Sequence, residues 1–76
     1  MSDAGHDRPQ LRYEVCVRGR LGEAMLAAFP AFQAQVRGDD TLLTGELPDY
    51  TALYGVLAQV EALRLELLTL RRLPSP

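Results

Sequence analysis

The chain has 76 residues, ten acidic side chains against eight arginines, and a formal net charge of −2. That length allows one domain whose core shields only about 60% of the unfolded surface, and the near-neutral balance without a basic patch argues against nucleic acid or an anionic membrane as partner. A single cysteine, Cys16, excludes an intrachain disulfide or a thiolate zinc cluster, which leaves self-association as the way to reinforce so small a core.

All eight cations are Arg, and Lys, Ile, Asn and Trp are absent. Lys, Ile and Asn have AT-rich codons, so their joint absence points to a high-GC bacterial genome. No basic start followed by an apolar run marks a signal peptide, and no apolar run approaches the roughly 18 residues of a membrane span; a soluble, cytoplasmic protein is expected. Residues 1–10 are polar, with Gly5, Pro9 and the only histidine, His6, and are expected to form a mobile tail. Residues 74–76 form a second tail, so the domain is expected over 11–73.

The first element is the clearest. Leu11, Tyr13, Val15 and Val17 alternate with Arg12, Glu14, Cys16 and Arg18, the period of a strand with one buried and one open face. Residues 22–29 are rich in Ala, Leu and Met and predict a helix of about two turns, stopped by Pro30, which disfavours helical geometry in Phe29. Phe32, Ala34 and Val36 then alternate with Gln33, Gln35 and Arg37 as a second strand. Gly38-Asp39-Asp40 suits a tight reversal, and residues 41–45 return as a third strand, closing a hairpin.

A second helix is expected from Pro48, which suits a first helical position, with Leu53, Val56, Leu57 and Val60 on one face. Two readings compete for its end. In one it stops near residues 62–64 and residues 65–72 form a fourth strand. In the other it runs to Leu73, because positions 53, 56, 60, 63, 67 and 70 are all apolar at heptad spacing and no Gly or Pro stands near Leu63. A tandem similarity favours the fourth strand: Val17-Arg18-Gly19-Arg20-Leu21-Gly22-Glu23 resembles Leu43-Thr44-Gly45-Glu46-Leu47-Pro48-Asp49. Each reads as a strand ending at a Gly, a turn, and a helix whose first turn carries an acid suited to the positive end of the dipole. The first strand, moreover, needs a second neighbour.

The element order strand–helix–strand–strand–helix–strand, with these two turns, resembles the ferredoxin-like superfold. That fold is an α+β sandwich, βαββαβ, with a four-stranded antiparallel sheet and two helices on one face. It resembles more loosely the ACT-like regulatory domains, and the short uncharacterised actinobacterial proteins built as strand, R-G-x-L turn, A-F-P helix end and hairpin. The runner-up fold is βαββ followed by one long C-terminal helix. Functional relatives in the superfold place chemistry that this chain lacks. Metal-binding members use Cys-x-x-Cys where Gly19-Arg20-Leu21-Gly22 stands, acylphosphatase-like enzymes use an Asn, and small monooxygenases use a pocket His. RNA-recognition domains stack bases on central-strand aromatics, whereas residues 41–45 carry none and Tyr13 is expected inward. PII-like proteins need a long loop where only residues 38–40 are available.

No catalytic residue, metal ligand or cofactor site is therefore assigned, and the protein is expected not to be an enzyme. Asp39 and Asp40 read as turn formers, and Glu23 and Asp49 as helix-dipole partners. Arg12, Glu14 and Arg18 are candidate open-face polar residues, either a small-molecule or peptide site or a solvated face with cross-strand ion pairs. Cys16, Leu42, Leu68 and Leu70 form a candidate interface through which two sheets pack face to face. The expected function is a non-catalytic, self-associating interaction or scaffold module, a homodimer with a possible further protein partner. The alternatives are an ACT-like regulatory domain with a ligand at a subunit interface, and a minimal dimeric enzyme using Glu14 or Asp49.

Overall fold

A computed structural model of the chain describes residues 11–74; the two expected tails, residues 1–10 and 74–76, lie outside the described residues apart from Pro74. The elements are β1 (Leu11–Arg18), α1 (Glu23–Leu26), β2 (Phe32–Arg37), β3 (Asp40–Leu47), α2 (Tyr50–Ala62) and β4 (Leu67–Leu73). They form an α+β domain with one four-stranded antiparallel sheet in the order β2-β3-β1-β4. The C-terminal leucines are a strand, and the long-helix reading is set aside.

The alternation of β1 is realised residue by residue: Leu11, Tyr13, Val15 and Val17 are buried, and the residues between them are not. Their register partners Leu47, Gly45, Leu43 and Thr41 on β3 share that face. Both helices cover it. Phe29, from the segment after α1, and Val60 of α2 pack on Val15, Val17 and Leu43. Leu53 of α2 packs on Leu11, Tyr13 and Leu47. The predicted stripe Leu53, Val56, Leu57 and Val60 is the face that α2 buries.

Several boundaries differ from expectation, each for a local reason. α1 is a single α-turn rather than two, because Ala28 and Phe29 donate to Met25 and Leu26, three residues back, and this tightening brings the chain to Pro30 without α geometry at Phe29. Pro48 precedes α2 instead of opening it. Asp49 is the N-cap, its carboxylate accepting from the Ala52 amide at 2.9 Å. β2 is an exposed edge along which only Phe32 is partly buried.

α2 ends without a glycine. Leu65 N–H donates to the Val60 carbonyl and Arg64 N–H to the Glu61 carbonyl, the two bonds of a Schellman motif, with Arg64 left-handed at φ 60°. The apolar contact that accompanies such motifs is present, since Leu65 packs on the cluster containing Val60. The tandem similarity also resolves unequally. Gly19 ends β1 at φ 94°, whereas Gly45 lies inside β3, paired with Tyr13 and Phe32.

Candidate functional site

The sheet face opposite the helices carries Arg12, Glu14, Cys16 and Arg18 from β1. In register beside them stand Glu46, Thr44, Leu42 and Asp40 from β3, and Leu73, Arg71 and Thr69 from β4. Its charges partner one another. The Arg71 Nε lies 3.4 Å from Glu14 Oε1, and the Arg18 Nε lies 2.9 Å from Glu66 Oε1. Pairs with such exposed guanidinium groups contribute about 0.2–1 kcal/mol each, so Glu14 and Arg18 mainly order this face.

Arg12 has a different setting. It stands directly opposite Glu46 of β3, with Gln33 and Thr44, around a shallow notch of about 400 Å³ whose remaining lining is Ala31 and Gly45. This polar notch has both signs of charge on its rim. Among the described residues no three His, Cys, Asp or Glu side chains converge as metal ligands. Asp40 instead accepts from the Gly19 amide at 3.3 Å.

The four residues of the expected interface do not form one patch. Cys16 and Leu42 are direct cross-strand neighbours on the open face. Leu42 is only 6% exposed there, closed in by Cys16 on one side and Gln35 on the other, and so offers little apolar surface to a second sheet. Leu70 pairs with Val15 and lies on the opposite, helix-bearing face. The split follows from the register, because Leu70 takes the face of its partner Val15, and a β-bulge further along the strand brings Leu67 to that same face. Cys16 pairs with Thr69 and Val17 with Leu67, leaving Leu68 as the inserted residue and reversing the parity of the strand at that point.

The bulge produces an apolar edge that the sequence pattern did not reveal. Leu67 and Leu70 are 40% and 37% exposed on β4, and Tyr50 and Tyr54 of α2 are 50% and 66% exposed. Arg72 Nη1 donates to the Tyr50 hydroxyl at 3.3 Å, which places this tyrosine beside β4. Tyr54, four residues on, shares its helix face. The available signal was that both tyrosines fall outside the Leu53–Val56–Val60 stripe and must therefore face away from the core.

A second, apolar groove lies between α2 and the segment before β2, lined by Pro30, Ala31, Leu47, Pro48, Gly55 and Val56 among others. No described helix is long and apolar enough to cross a membrane. No curated protein and no solved structure matches the chain. The family model described as a domain of unknown function, DUF8691, matches residues 12–71, nearly the whole folded segment, and the chain belongs to that family.

Proposed function

We propose that this domain is a non-catalytic interaction module that acts by self-association, built on the ferredoxin-like topology. The topology is supported by the strand order taken from the other edge, β4-β1-β3-β2, with both helices on one face.

The observation that carries the functional reading is the set of exposed large apolar side chains, Leu67 and Leu70 on β4, Tyr50 and Tyr54 on α2 and Val36 on β2. Exposed apolar surface on so small a domain is more stable when a partner covers it. The mass in solution tests this: at micromolar concentration the protein is expected to run at twice its 8.4 kDa chain mass. A monomeric mass across the accessible concentration range refutes it.

The polar notch favours one second reading, a small-molecule-binding regulatory domain, with the site inside one chain rather than at the subunit interface expected of an ACT-like domain. Arg12 and Glu46 on its rim suit the carboxylate and ammonium of a small zwitterion. A panel of amino acids separates the two readings. A ligand that saturates the site at 100 times its Kd raises stability by about 2.7 kcal/mol, a clear shift of the melting curve, whereas a pure interaction module shows none.

A further inference from the structure

Resting on the self-association proposed above, we infer that the partner is a second copy of this chain docked antiparallel along β4. The two-fold axis passes beside Leu70 and joins two four-stranded sheets into one of eight strands. β4 is a terminal strand of the sheet, and its outer side pairs with no described strand. Such an edge presents a row of unpaired amides and carbonyls that templates another strand.

The two edges of the sheet are unlike. β2 alternates Ala34 and Val36 with Gln33, Gln35 and Arg37, whereas β4 is Leu-Leu-Thr-Leu-Arg-Arg-Leu. Edges are normally guarded by outward charges. The two arginines of β4 are instead engaged with their own domain, Arg71 with Glu14 at 3.4 Å and Arg72 with Tyr50 at 3.3 Å, so the leucine-rich edge is left open.

Symmetry then selects the register. A two-fold that pairs two copies of one strand antiparallel, edge to edge, stands perpendicular to the sheet and keeps each residue on its own face. Directly opposed residues share a face, so only registers in which one residue meets its own copy are allowed. Centring on Arg71 or Arg72 sets like charges against each other. Centring on Thr69 drives the bulged residues Leu67 and Leu68 into the middle of both ladders.

Centring on Leu70 sets Leu70 against its copy and Thr69 against Arg71, with the bulges at the margins. It buries the exposed Leu70 on the helix-bearing face.

The test uses the full chain with Cys16→Ser, carrying either Leu70→Cys or, as a control on the opposite edge, Val36→Cys. Directly opposed antiparallel residues have Cα atoms about 4.5–5.5 Å apart, within the usual 4.4–6.8 Å span of a disulfide. Mild oxidation is expected to convert most of the L70C protein, and little of the V36C protein, to a covalent dimer. Separately, Leu70→Arg places two cations on the axis and is expected to raise the dimer Kd by about 100-fold or more, with an unchanged circular dichroism spectrum. If L70R does not fold, the cross-link alone decides.

A wild-type protein that is monomeric at every concentration overturns both the self-association reading and this inference. A wild-type dimer whose L70C variant does not cross-link overturns only the β4 edge, and cross-linking through native Cys16 then assigns the open face instead.

Discussion

Gly45 is the position where one methyl group is expected to do the most damage. A Cβ built there falls well inside contact distance of the Ala31 carbonyl oxygen and 3.0 Å from both Cγ and Cδ2 of Phe32. The first obstacle is backbone, so it cannot rotate aside; the start of β2 has to move away from β3, taking Phe32 from its place between the two core clusters. Overpacking of this kind costs about 1–3 kcal/mol, and the reduced freedom of the unfolded chain returns about 0.4–1 kcal/mol. The net for Gly45→Ala is a loss of about 1–2 kcal/mol, and since each kcal/mol moves the midpoint of a domain this size by about 4–8 °C, a fall of roughly 5–15 °C is expected. Thermal and urea unfolding followed by circular dichroism measure it. Gly55→Ala is the matched control: nothing lies within 4 Å of its Cβ, and Gly55 is exposed within α2, so that change is expected to stabilise by about 0.5–1 kcal/mol. A G45A protein as stable as the parent refutes the close approach of the 31–32 segment to β3.

Two further substitutions probe the ties that shape the fold. Thr41 is 1% exposed, and its hydroxyl donates to the Gly19 carbonyl at 2.7 Å while accepting from the Leu21 amide at 3.1 Å. Thr41→Val strands both backbone groups and is expected to cost about 1–3 kcal/mol, with Thr41→Ser restoring much of it; equal urea midpoints for T41V and the parent contradict this. Arg64 holds a left-handed conformation that costs an L-residue about 1–2 kcal/mol, so Arg64→Gly, after about 0.5–1 kcal/mol for glycine's freer unfolded chain, is expected to raise stability by about 0.5–1 kcal/mol. A lower melting midpoint for R64G would show that the arginine side chain contributes more than its backbone strain costs.

How far the fold was legible follows from where its information lies. The alternation in β1, the Gly38-Asp39 reversal and the Leu53–Val60 stripe are local patterns, and each corresponds to an element whose buried face is the one expected. The reversal has positive φ at Gly38 alone, the pattern of a type II′ turn. The end of α2 was not local. Heptad spacing continued past Leu63 and no glycine announced a stop, because here an arginine takes the strained conformation. The packing of Leu65 on Val60 and the pairing of β4 with β1 offset the strain. The residues of the candidate interface lie on two faces for a related reason. Leu70 takes its face from its pairing with Val15 and the bulge at Leu68 brings Leu67 to that face, and nothing in Leu67-Leu68-Thr69-Leu70 marks the register or the extra residue.

By itself the sequence determined the element order as far as α2 and the inward face of β1 and of α2. Those properties depend on residues within a few positions of one another, where periodicity and turn chemistry act directly. Only the tertiary structure decided that β1 has two neighbours, that Gly45 is needed for a carbonyl arriving from Ala31, and that Leu70 faces the helices while Cys16 and Leu42 face away. Each depends on which strand lies beside which and in what register, and register is set jointly by all the buried faces rather than by any one segment.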